Sequence, residues 1–139
     1  MALNPPSFDI AAFLEAQGAG TVGTDIFVGM EPSEPDATIT VYDTGGIAPN
    51  PKFLRDEPQV QVRVRGAVND YQNAWIKAQE IKDILLGAQP QILNGTDYVL
   101  FVQIGEMIAL GRDENNRPLI VSNWQLVREM ASGGNREAF

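Results

Sequence analysis

Residues 59–66 alternate without a break, with Val60, Val62 and Val64 on one side and Gln59, Gln61, Arg63 and Arg65 on the other. A period of two predicts a half-buried strand whose valines face a core. Directly after it, Tyr71, Ala74, Trp75, Ala78, Ile81 and Leu85 recur at helical spacing, with Lys77, Glu80 and Lys82 off the stripe. This predicts an amphipathic helix over 70–86, closed by Gly87 and Pro90. An earlier helix is expected from Ser7, as its cap, to Gln17 and Gly18, carrying Phe8, Ala11, Ala12 and Leu14.

The remaining apolar segments read as strands. Residues 26–30 and the β-branched run 38–42 are short strands, separated by the polar, proline-containing stretch 31–36. Residues 98–104 are apolar on both faces, as in a central strand, and Gly105-Glu106 fits a two-residue hairpin returning along 107–112. Residues 113–117 make a second turn before a last strand over 119–128, in which Trp124 shares a face with Ser122 and Leu126. Between the second and third strands, Gly45, Gly46, Pro49, Pro51 and Pro58 punctuate a loop over 44–58. A structureless loop of that length is uncommon and often functional. Residues 131–139, with Ser132-Gly133-Gly134-Asn135, read as a mobile tail on a single domain spanning 1–139. The expected fold is α+β: one mixed, mainly antiparallel sheet with two helices packed against it.

Composition narrows the chemistry. The chain has 139 residues, 44% of them hydrophobic, enough for one domain with a real core. It has no cysteine and no histidine, so thiolate and imidazole metal sites and a histidine-based triad are excluded. Eighteen acidic against ten basic residues give a net charge of −8, the wrong sign for a surface that neutralises phosphates. An acidic surface instead lets DNA pass without sticking. No apolar run approaches the ~20 residues of a membrane span, and residues 1–6 have neither the basic start nor the apolar block of a secretory signal. A soluble, acidic single domain made inside the cell is expected.

Three motifs invite an enzymatic or ligand-binding reading. Asp43-Thr44-Gly45, after the apolar Val41-Tyr42, resembles the catalytic triplet of aspartic proteases, and Ile108-Ala109-Leu110-Gly111-Arg112 resembles the segment supporting it in the dimeric retroviral type. Gly46 and the helix expected over 70–86 depart from that pattern, so the triplet reads first as a turn out of a strand. Glu31, Glu34 and Asp36 lack the spacing of a calcium loop and read as solvated charges, as do Asp113 and Glu114. Gly18-x-Gly20-x-x-Gly23 follows a helix and leads into a strand, the reverse of a dinucleotide site. Trp75 and Trp124 read as core residues.

Several local patterns, in order, carry a resemblance: Val41-Tyr42-Asp43-Thr44-Gly45-Gly46; then Val60-Gln61-Val62-Arg63-Val64-Arg65-Gly66; Tyr71-x-x-Ala74 with Ala78-x-x-Ile81; and Leu110-Gly111-Arg112-Asp113-Glu114-Asn115-Asn116-Arg117 leading into Asn123-Trp124-Gln125-Leu126-Val127-Arg128-Glu129. Over most of residues 8–130 the chain resembles the tail terminator proteins, also labelled minor capsid proteins, of long-tailed bacteriophages. The resemblance implies a structural virion protein at the head–tail junction, with no enzymatic activity and no cofactor. It implies a homo-oligomer, a hexameric ring on the head-proximal end of the tail tube. Tube protein and the head completion or connector protein would be its partners, and DNA would pass through without sequence-specific binding. Another head–tail connector protein is the neighbouring alternative, with a regulatory binding module and the Asp43 protease behind it. Candidate assembly residues are Phe53, Leu54 and Arg55 in the 44–57 loop, Arg63 and Arg65 on the polar strand face, and Asp113 and Arg117 in the last turn. Phe53 and Leu54 are expected to stand exposed, and the two arginines to meet acidic residues of a neighbour.

Overall fold

The alternating run becomes the second half of β3 (Arg55–Arg65) in a computed structural model describing residues 3–138, so Met1, Ala2 and Phe139, within the expected leaderless start and mobile tail, lie outside the described residues. Val60, Val62 and Val64 are buried, as their spacing predicts. The other elements are α1 (Pro6–Ala16), β1 (Ile26–Val28), β2 (Thr38–Ile47), α2 (Tyr71–Leu85), β4 (Gln91–Leu93), β5 (Thr96–Arg112) and β6 (Pro118–Glu129). The strands form one sheet in the order β1-β2-β3-β6-β5-β4. Only β1 and β2 pair in parallel; every other neighbour is antiparallel. The fold is therefore the expected α+β arrangement, with both helices on the valine face.

Helix α1 starts on Pro5 and Pro6, not on a Ser7 cap, because proline at the first helical position gives up no hydrogen bond. It ends as expected: the Gly18 N–H donates to Glu15 O and the Ala19 N–H to Leu14 O, with Gly18 at a φ of 86°. Helix α2 is capped by Asp70, which accepts from the Asn73 N–H at 3.2 Å. Ala74, Ala78, Ile81 and Leu85 face the core, but Tyr71 and Trp75 do not. Trp75 is 41% exposed, a correction to the core reading, because α2 meets β3 and β6 through the face that carries Ala74, Ala78, Ile81 and Leu85. Trp124, on the central strand β6, is fully buried, and its indole N–H donates to Ser122 Oγ at 2.9 Å.

Four stretches fold differently from expectation. The DTGG segment is no turn: β2 continues through it with a bulge between Asp43 and Gly46. Gly46, at a φ of 136°, lies so close to β3 that a Cβ there would come within 2.4 Å of Glu57 O. With β2 reaching Ile47 and β3 starting at Arg55, the long loop shrinks to 48–54. No hairpin forms at Gly105-Glu106; a second bulge, between Ile104 and Ile108, absorbs them within β5, which keeps β6 as its partner on both sides. Residues 98–104 are not central, because β5 lies one place from the sheet edge. Its only outer neighbour is the unforeseen β4, joined through Asn94 (φ 51°) and Gly95 (φ 82°). Two such residues with positive φ are the hairpin turn that Asn-Gly favours, a signal present in the sequence.

Candidate assembly surface

Cross-strand partners share a face, so the register places Gln59, Gln61, Arg63 and Arg65 in one row beside Gln125, Asn123, Val121 and Leu119 of β6. Two amide pairs bridge these strands: Gln59 Nε2 donates to Gln125 Oε1 at 2.8 Å, and Gln61 Nε2 to Asn123 Oδ1 at 3.1 Å. Further along the row, the chain between β1 and β2 folds back over the sheet and meets the arginines. Arg65, only 3% exposed, donates through Nε to Asp36 O at 2.9 Å and through Nη2 to Pro35 O at 2.8 Å. Its Nη1 lies 3.3 Å from Glu31 Oε1, and Arg63 Nε lies 3.3 Å from Glu31 Oε2 as an ion contact without hydrogen-bond geometry.

Arg117 completes the arrangement. Its Nη1 donates to Ser33 O at 2.6 Å and approaches Asp36 Oδ1 at 3.3 Å, while Nε donates to Asp113 Oδ2 at 2.8 Å. Asp113 Oδ1 accepts the N–H groups of Asn115 and Arg117, each at 2.9 Å, which closes the β5–β6 turn. Burial raises the Asp113 pKa, but these donors and the guanidinium outweigh it and hold the carboxyl below its usual range. The structure thus brings together Arg63, Arg65, Asp113 and Arg117, four of the expected assembly residues, but around the chain's own 31–36 segment. Glu31 is correspondingly not the solvated charge expected but a largely covered partner of two arginines, while Asp36 stays exposed, as expected of a solvated charge, and also meets Arg117.

Phe53, Leu54 and Arg55 lie elsewhere. The premise of an exposed apolar pair fails at Leu54, which is 2% exposed. Its N–H donates to Glu137 O at 2.7 Å, and its carbonyl accepts from the Met130 N–H at 3.0 Å. Phe53 is half-buried, with the Lys52 ammonium 5.2 Å from its ring centroid. Arg55 is half-buried too and opens β3 opposite Glu129. The expected mobile tail is anchored here, because Arg136 Nη1 donates to Asp56 Oδ1 at 2.8 Å and the Glu137 N–H to Lys52 O at 2.8 Å.

Asp43 has both carboxylate oxygens engaged: Oδ1 accepts the Ser7 N–H at 2.9 Å and Oδ2 the Ser7 hydroxyl at 2.6 Å. A carboxylate from the sheet therefore satisfies the first turn of α1, whose own flank of prolines offers no cap. Asp43→Ala is expected to cost about 1 kcal/mol, the usual value of a helix N-cap, read as a lower urea midpoint with an unchanged slope.

One exposed apolar feature was not foreseen from the sequence. On β5, Leu100, Val102 and Ile104 pair with Val127, Gln125 and Asn123, which puts them in a row on the face away from the helices. They are 48%, 42% and 40% exposed, and Ile108 extends the row beyond the bulge. The run of apolar residues on both faces of 98–104 is its sequence signal, because that pattern fits a partly uncovered strand as well as a central one. At the far end of β5, Tyr71 overhangs Ala109 and Gly111 across a pocket of about 340 Å³. Glu106, at the bulge, lies 2.9 Å from Lys82 of α2; that hydrogen bond, chiefly, holds its carboxyl below the usual range.

Among the described residues, no cluster of three or more potential metal ligands occurs, and no helix is long and apolar enough to cross a membrane. No curated protein matches the chain. A family model described as "Bacteriophage tail terminator protein" matches residues 13–129, from within α1 to the last residue of β6, and so includes all six strands and α2. A match over that much of the chain places it in the family: the chain belongs to the bacteriophage tail terminator family, and its role is that of a structural, virion-associated tail protein.

Proposed function

We propose that the protein assembles as a hexameric ring on the head-proximal end of the tail tube, where it ends tube polymerisation and forms part of the head–tail joint. The family match over 13–129 carries this reading. A ring requires each subunit to meet the next through two different surfaces, and a sheet with open stretches at both ends of its strand order is suited to that. The partners are further copies of the chain, the tube protein on one side and the head completion or connector protein on the other. With a net charge of −8, and with Arg63, Arg65 and Arg117 tied to carboxylates of their own chain, the body carries little free positive charge for phosphates to hold. DNA would therefore traverse the ring without sequence-specific contact.

Negative-stain electron microscopy of the protein, alone and mixed with purified tail tubes, tests the reading. Six-fold rings with a central hole, seated on one end of tubes that no longer lengthen in added tube protein, are expected. Protein that stays monomeric, binds no tube end and leaves elongation unchanged would overturn it.

A further inference from the structure

Among the described residues, no strand pairs with 99–104 on the side of β5 away from β6, because β4 covers only Thr96, Asp97 and Tyr98. From Leu100 to Ile104 the register with β6 is continuous, so this edge is straight, and its backbone donors and acceptors point outward in regular order. The sequence Val99-Leu100-Phe101-Val102-Gln103-Ile104 contains no charge, proline or glycine. Natural sheets blunt their edges with lysine, proline, bulges or covering loops. Here the bulges lie at Val99 and beyond Ile104 and leave 100–104 bare. An uncharged, β-branched and aromatic edge of this length is an aggregation hazard unless another strand covers it.

We propose that 99–104 is the strand edge on which a second copy of this chain docks, adding its own open half of β2 to the sheet. That half is residues 42–47: β1 pairs only with Ile39, Thr40 and Val41, so beyond them β2 has β3 on one side and, among the described residues, no strand on the other. The two open stretches stand at opposite ends of the strand order. One copy's β5 edge therefore meets the next copy's β2 edge, and the contact is head-to-tail. Charge points the same way. Two bodies of net charge −8 repel, which favours a contact through uncharged surface. Residues 99–104 carry no charge at all, and the single charge in 42–47, Asp43, is engaged by Ser7 of its own chain. Ile47, exposed on the β2 stretch, supplies an apolar side chain to meet the Leu100, Val102 and Ile104 row. The inference rests on the ring reading above and names the surfaces that would build it.

The test uses the full chain. Ile104→Lys places a charge on the edge without touching the core, while Val68→Lys changes an exposed residue in the turn before α2. Both are expected to keep the far-ultraviolet circular dichroism and melting midpoint of the parent. Ile104→Lys is expected to raise the concentration for half-assembly, read by light scattering in the presence of tail tubes, by about tenfold or more, a loss of roughly 1.4 kcal/mol; Val68→Lys leaves it unchanged. Because the chain has no cysteine, single-cysteine variants report the pairing directly. An oxidised mixture of Val102→Cys and Ile47→Cys is expected to give a cross-linked dimer that neither variant gives alone. Assembly by Ile104→Lys at parental concentration would overturn the edge proposal while leaving the ring intact. Cross-linking by Val102→Cys alone would replace the head-to-tail contact with a two-fold one and overturn it equally. A parent chain that never assembles, even on tubes, would remove the ring reading and this contact together.

Discussion

Arg65→Ala is expected to lower the melting midpoint by about 10–20 °C and to raise amide hydrogen exchange across residues 31–37. The guanidinium is buried, and three of its nitrogens meet the 31–36 segment at 2.8–3.3 Å: Pro35 O, Asp36 O and Glu31 Oε1. Deleting it leaves two carbonyls short of a donor and a partly buried Glu31 without one of its two cations. Breaking a buried pair from one side costs about 3–5 kcal/mol, and in a domain of this size that is a shift of the stated order. Lysine is not expected to rescue the variant, because a single ammonium cannot span the carbonyls of Pro35 and Asp36 as the planar fork does. Hydrogen exchange is the sharper readout. If 31–37 keeps its parental protection in Arg65→Ala, the arginine does not hold that segment down.

Trp124→Ala is expected to destabilise by about 3–5 kcal/mol, the range for removing a fully enclosed aromatic side chain from a packed core. Trp124 sits on β6, the strand between β3 and β5, opposite Val60 on one side and Gln103 on the other. A cavity there loosens both halves of the sheet, and the freed Ser122 hydroxyl loses its indole donor. Trp124→Phe should fall between parent and alanine, since it refills most of the space and forfeits the hydrogen bond. Urea unfolding followed by circular dichroism, with Trp75 left as the fluorescent reporter, separates the three. Equal stability of parent and Trp124→Ala would mean that the core does not close around this residue.

The valines of 60–64, the α1 ending at Gly18 and the turn at 113–117 were legible because each is decided within a few residues by side-chain period or by turn chemistry. The last strand was legible too, with Trp124 turned inward. The errors share one physical origin. A glycine-containing dipeptide can turn a chain or be absorbed in a bulge, and at Gly45-Gly46 and Gly105-Glu106 the outcome depended on whether a long neighbouring strand could keep pairing past it. Likewise an apolar run on both faces fits the middle of a sheet or an uncovered edge, and only strand order chooses between them.

The same division runs through the candidate site. Arg63 and Arg65 stand out in the sequence as arginines on one strand face, Asp113 and Arg117 as candidates in the last turn, and the four do converge. The loop that occupies them is their own, because a proline-containing stretch of 31–36 that looked solvated folds back over the sheet. Leu54 looked exposed because loop residues usually are; it is covered by the returning tail, which no local pattern announces. What the sequence by itself determined is the α+β class, the buried face of β3 and the family, all of which rest on local period and on the order of short patterns. What only the tertiary structure decided is which polar groups are spent inside the chain and which apolar strand is left bare. Those depend on contacts between segments as distant as residues 33 and 117 or 54 and 137, and burial there is a property of the folded surface that no window of neighbouring residues contains.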